Sequence, residues 1–159
     1  MDGWRGDVAA ARPTVEHLTS ARVAALREQV LRRWPEEVQE RLWDRTLWRV
    51  AVPARGLTIE AEDLEGYWSV LVGPAGHAFE THDATVGTLV RLVDAAVRGE
   101  LWVVRWRIGR LAAGSWLEDG EGVGFTGGPG GSWLDRVAAS VPGYRRTRVP
   151  LPADQGDPA

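Results

Sequence analysis

His77, Glu80, His82 and Asp83 lie close together and form the only cluster of metal-type ligands in the chain. Imidazole nitrogens and carboxylates this near in sequence could contribute to a zinc or iron(II) site. The spacing is not that of a helical His-Glu-x-x-His pair. On a strand, Glu80 and His82 share a face while His77 takes the other, so the cluster falls short of a full ligand set. The plainer reading is a strand-end histidine, a surface Glu80 and an Asp83 that caps a helix. A metal-dependent enzyme or small-molecule binder would use His77, Glu80 and His82, with Tyr67, in a pocket between sheet and helix.

Other chemistries are removed by what the chain lacks. All nineteen basic residues are arginine, with no lysine and no cysteine. Without lysine there is no Schiff base, no pyridoxal phosphate anchor and no phosphate-loop lysine. Without cysteine there is no thiol nucleophile, disulfide, thiolate zinc site or iron–sulfur cluster. The glycine-rich stretch from Gly120 to Gly131 lacks the Gly-Lys-Ser/Thr ending of a phosphate cradle and reads as a surface loop. Ser69, Ser115 and Ser132 sit in no Gly-x-Ser-x-Gly elbow. Glu60 and Glu62, two residues apart on the polar face of a strand, suit pairing with arginines of a neighbouring strand better than acid–base work. No cofactor is implied.

Tryptophan and arginine carry the remaining signal. Of nine tryptophans, Trp34, Trp48, Trp68, Trp102 and Trp106 fall at inward positions and should build one core. Trp43, Trp116 and Trp133 do not fit the inward register. With Arg105, Arg107 and Arg110 they are candidates for a partner surface, because exposed Trp and Arg dominate binding hot spots. Arg145, Arg146 and Arg148 make a second basic group. Interleaved aromatics resemble a single-strand nucleic-acid surface. Against that reading, the alternation puts Trp102 and Trp106 opposite Arg105 and Arg107, and cross-strand pairing with Glu60 and Glu62 accounts for the arginines. A net charge of −3 also lacks the basic footprint of a nucleic-acid binder.

These residues need elements to hold them. Residues 1–12 read as a loose arm and Pro150 to Ala159 as a frayed tail. A helix is expected from Thr14 to about Arg33, with Val15, Leu18, Leu26, Val30 and Trp34 near one face. Pro35-Glu36-Glu37 looks like a helix start, predicting a second helix over 36–44 with Val38 and Leu42 inward. From Thr46 the period becomes two: strands over Thr46–Val52, Leu57–Glu62, Tyr67–Val72 and His77–Thr81, joined by short turns, read as an antiparallel meander. Asp83 can cap a helix from about Ala84 to Arg98 that Gly99 stops. Leu101–Ile108 is the clearest strand. Arg110–Leu117 and Tyr144–Val149 are further strands, Asp119-Gly120 a tight turn, and Ser132 opens a short helix to about Ser140.

The whole predicts one domain over 1–159 of α+β class: N-terminal helices, an antiparallel sheet of about four to seven strands, and a helix near 84–98 packed on one face. The arginine-rich, lysine-free composition is what a GC-rich bacterial genome produces. No apolar run reaches the roughly 20 residues of a membrane span, and the acidic N-terminus is unlike a signal peptide, so the expected location is the cytoplasm. Size and composition resemble bacterial immunity and adaptor proteins, a likeness that transfers no residues. A non-enzymatic protein-binding domain, its partner another protein, is therefore the first functional expectation.

Overall fold

Alternation of apolar and polar residues from Leu47 onward commits every second side chain to one face, and the computed structural model shows how that pattern is used. It describes residues 19–74, 77–81, 84–125 and 140–151. Their elements, in order, are α1 (Ala21–Arg33), β1 (Gln39–Asp44), β2 (Leu47–Val52), a 3-10 turn (Pro53–Arg55), β3 (Leu57–Leu64), β4 (Tyr67–Gly73), β5 (His77–Thr81), α2 (Val86–Arg98), β6 (Trp102–Ile108), β7 (Leu111–Glu118) and β8 (Tyr144–Pro150). The expected α+β class is observed, with the strands divided between two antiparallel sheets. One has five strands in the order β1-β2-β3-β4-β5; the other has three in the order β7-β6-β8.

In the five-stranded sheet the register aligns Trp48 with Ala61 and Val70, and Val50 with Ile59 and Val72. These side chains, with Val52, Leu57 and Trp68, are buried on the inner face. Each large one contributes about 1.5–3 kcal/mol by leaving water. Arg49 and Glu60 pair on the outer face. The helix expected over 36–44 is instead the edge strand β1, every residue of which is exposed, Leu42 included. Only Val38, just before it, is buried as expected. The proline–acid start signal produces a single turn at 35–37. Pairing with β2 then overrides the helix-forming preferences of Gln39, Glu40, Arg41 and Leu42.

Helix α1 is capped by Ser20, whose hydroxyl accepts from the Val23 N–H at 3.1 Å. The expected unbroken helix from Thr14 is corrected, because Thr19 and Ser20 are not helical, and residues 14–18 lie outside the described residues. Val23, Leu26 and Val30 form its buried stripe. Ser20 Oγ donates to Asp63 at 2.6 Å and Arg22 reaches the same carboxylate at 2.9 Å, tying the helix start to β3. The cap of α2 is Thr85, in a reciprocal box with Thr88; Asp83, expected there, lies outside the described residues. Gly99 ends α2 in a left-handed conformation, as its position predicts. Arg55 completes that end by donating to the carbonyls of Val97 and Arg98.

Helix α1 packs against α2 and touches β2 and β3, while α2 also meets the Pro53–Arg55 turn. Both helices and the five-stranded sheet share one apolar cluster with Leu101, Val103, Leu117, Phe125 and Leu151. No helix among the described residues is long and apolar enough to cross a membrane. The terminal arm, the Gly127–Gly131 loop and the helix expected from Ser132 lie outside the described residues, as does all of the expected tail after Leu151.

Candidate functional site

Strand β6 is central in its sheet, so its two faces are set by the registers with β7 and β8. Trp102 aligns with Glu118 and Pro150, Val104 with Trp116 and Arg148, and Trp106 with Gly114 and Arg146. One face therefore carries three tryptophans and two arginines. The Arg148 guanidinium carbon lies 4.4 Å from the centre of a Trp102 ring, and that of Arg146 lies 5.6 Å from Trp116. Trp106 meets Tyr144 at 6.3 Å, tilted by 47°. Cation–π attraction of about 0.5–1 kcal/mol per exposed pair orders these guanidinium groups.

Glu118 is the hub of this face. It is only 3% exposed, yet its Oε1 accepts from the Trp116 indole at 2.8 Å and from Arg146 at 2.5 Å. Among the described residues its Oε2 accepts no hydrogen bond, and it lies 3.5 Å from Arg148 Nε. Arg148 in turn donates to the Asp119 carbonyl at 2.5 Å. Gly114 permits the arrangement: a Cβ there would lie 2.6 Å from the Trp106 indole nitrogen. A glycine inside a strand pattern signals such close approach, and Gly114 is the one mark in the sequence from which the outward packing of Trp106 could have been read.

This face corrects the expected register of the core. Trp102 and Trp106 are half-buried on the outside, and the residues joining the shared core are Leu101, Val103 and Leu117 from the opposite face. Alternation identifies which residues share a face but not which face looks inward. At the start of β6 both faces are apolar, and Val104 is buried as well.

The other face becomes polar toward the far end of β6. Arg105 aligns with Ser115 and Thr147, and Arg107 stands directly opposite Arg145. All three arginines are exposed. The expected pairing with Glu60 and Glu62 does not occur, because those residues belong to the five-stranded sheet, where Glu60 pairs with Arg49. Arg107 donates to the Arg110 carbonyl at 3.4 Å in the β6–β7 turn. Next to it Leu111 is 74% exposed. At the opposite end, Arg91 of α2 reaches Asp119 at 3.5 Å and the Gly124 carbonyl at 3.2 Å, anchoring the loop that leaves β7.

Of the expected partner surface, Arg105 and Arg107 share one face of this small sheet, Trp116 lies on the opposite face, and Arg110 sits in the β6–β7 turn. Trp133 lies outside the described residues. Trp43 lies on β1, at the edge of the other sheet, 46% exposed. Its ring is covered by Arg27, whose guanidinium carbon lies 4.1 Å from the ring centre. Arg27 also forms a two-pronged pair with Glu40, at 2.5 and 3.0 Å, and Glu40 accepts from the Trp48 indole at 2.9 Å. The Arg27 hydrogen bond, aided by that indole, holds the Glu40 carboxyl below its ordinary pKa, and Glu40 raises that of Arg27.

For the metal alternative, the backbone register sets His77 opposite Val72 and Glu80 opposite Ser69, alternate positions on different faces of β5. The side chains of both, and all of His82 and Asp83, lie outside what is described. Among the described residues no three histidines or carboxylates gather as a metal-ligand group. Among the described residues, open depressions lie elsewhere, for example on the outer sheet face at Arg41, Arg49, Glu60 and Leu71 and beside Glu36, Glu37 and Arg55. The chain matches no protein-family model, no curated protein and no solved structure.

Proposed function

We propose that this chain is a non-enzymatic protein-binding domain, of the immunity or adaptor kind, whose partner occupies the three-stranded sheet. The observation that carries the reading is Arg107 facing Arg145, exposed and with no carboxylate between them among the described residues. Like charges directly opposite on adjacent strands are destabilising, and an acidic partner would relieve that repulsion. Half-buried tryptophans on the reverse face add the residue type that most often anchors protein interfaces. Arg148 and Arg146 already lie over Trp102 and Trp116, which disfavours these rings as stacking platforms for bases. A cysteine-free, GC-biased composition suits the bacterial cytoplasm.

The test is retention of a stoichiometric companion from native-host extract at physiological salt. The wild type should retain it, Arg105→Glu/Arg107→Glu should lose it, and Arg49→Glu on the other sheet should not. No companion on the wild type, or one indifferent to the double charge reversal, would overturn the reading.

A further inference from the structure

Resting on the reading that a protein partner is held by the three-stranded sheet, we infer that the partner adds an acidic, extended segment as a new strand along β8. Two backbone hydrogen bonds bracket the β6–β8 pairing: Leu151 N donates to Leu101 O at 2.8 Å, and Gly109 N donates to Gly143 O at 2.9 Å. Antiparallel ladders alternate between bonded and non-bonded pairs. The bonded pairs between those limits are therefore Val103–Val149, Arg105–Thr147 and Arg107–Arg145. The backbone groups of Tyr144, Arg146, Arg148 and Pro150 point to the other side, away from β6. Tyr144 N is used by Val141 O at 3.2 Å, and Pro150 has no N–H. Proline belongs at this edge-facing parity. Arg146 and Arg148 remain as the donors and acceptors of an edge that, among the described residues, pairs only with β6.

Charge selects the occupant. Arg145 lies on one face of β8 and Arg146 and Arg148, which share the single Glu118 carboxylate, on the other, so an added strand meets a net positive charge whichever way its side chains point. Carboxylates on the Arg145 face would also sit near Arg107 and Arg105. A second copy pairing β8 with β8 would set arginine against arginine, which the same electrostatics disfavours. Main-chain bonding gives such strand addition its affinity and alternate side chains its specificity.

The experiment titrates the full isotopically labelled chain with a synthetic peptide the length of β8 that alternates glutamate and valine. Its glutamine counterpart and single-stranded oligothymidine serve as competing probes. The glutamate peptide should bind and slow amide exchange at Arg146 and Arg148, with the glutamine peptide at least about tenfold weaker, the equivalent of a lost charge-assisted bond. Arg148→Pro removes an outward N–H without touching the inner ladder and should weaken binding more than Arg148→Gln does; if the proline variant fails to fold, amide exchange in the wild type decides. Equal binding of both peptides, no protection at Arg146 and Arg148, tighter binding of oligothymidine, or self-association through β8 would each overturn the inference. A host companion lost with Arg105→Glu/Arg107→Glu but indifferent to Arg148→Pro would leave the protein-binding reading standing and remove strand addition alone.

Discussion

Arg107 and Arg145 stand opposite each other across the β6–β8 ladder, both exposed, whereas several arginines elsewhere in the fold are matched with acids. Arg22 pairs with Asp63, Arg27 with Glu40, Arg49 with Glu60 and Arg98 with Asp94. The chain carries more acids than bases, 22 against 19, so this local surplus of positive charge is not forced by composition. It concentrates at the far end of one small sheet.

Arg145→Glu should therefore stabilise the isolated protein while impairing partner binding. An opposite-charge cross-strand pair in place of a like-charge one is worth about 0.2–1 kcal/mol. Urea unfolding should show a higher midpoint at low salt, with the gain shrinking as salt screens the pair. A lower midpoint at every salt concentration would mean that Arg145 has an acidic neighbour.

Much of this fold was legible because its strands alternate cleanly. Trp48-Val50-Val52 and Leu57-Ile59-Ala61 are buried where period two puts them, and Gly99 stops α2 as expected. Gln39–Asp44 misled because its residues favour helix, and a long-range pairing with β2 decides its state. The site was half legible. Trp116, Arg105, Arg107 and Arg110 were identified from residue type, but the link of Glu118 to Arg146 and Arg148 spans 28 or more residues from β7 to β8. A single strand's periodicity holds no information about that neighbour.

Gly114→Ala tests the close approach of Trp106. The new methyl group would have to displace the indole from its contact with β7, an overpacking cost of about 1–3 kcal/mol. Tryptophan emission should shift as Trp106 moves, and the unfolding midpoint should fall. Adding Trp106→Ala should cancel most of the Gly114→Ala penalty; additive losses in the double mutant would show that the two residues do not meet.

Glu118→Gln tests the hub. The amide oxygen can still accept from Trp116, but the charge facing Arg146 and Arg148 is gone, so stability should fall by about 1.5–3 kcal/mol. Chemical denaturation reads this directly. Replacing Trp116 by Phe, which removes only the indole donor, should cost less than Glu118→Gln; the reverse order would place the main interaction at the indole.

Acid should dissolve the Arg27–Glu40–Trp48 link. The Glu40 pKa is depressed in the folded protein, chiefly by the Arg27 hydrogen bond. The group therefore contributes stability above the unfolded carboxylate value of about 4.3 and loses it as pH falls through the lower folded value. The raised Arg27 pKa adds no titration in the accessible range. Glu40→Gln should cost about 0.5–1 kcal/mol at neutral pH, with wild type and variant converging below that window. A difference that persists undiminished in strong acid would show that the pair's charge is irrelevant.

Trp68 and Trp102 separate the two environments that alternation alone made equivalent. Trp68 is fully buried in the five-stranded sheet beneath Arg22, whose guanidinium carbon lies 4.6 Å from its ring. Truncation to alanine leaves a large cavity there and should cost about 3–5 kcal/mol. Trp102 is half-buried on the outer face under Arg148, where solvent can fill the space an alanine leaves, so the loss should be about half as large or less. Trp68→Ala should therefore approach global unfolding, while Trp102→Ala should keep the fold and weaken capture of the host companion. Equal destabilisation by the two changes would mean that Trp102 is enclosed after all, and the face it shares with Arg146 and Arg148 would no longer be available to a partner.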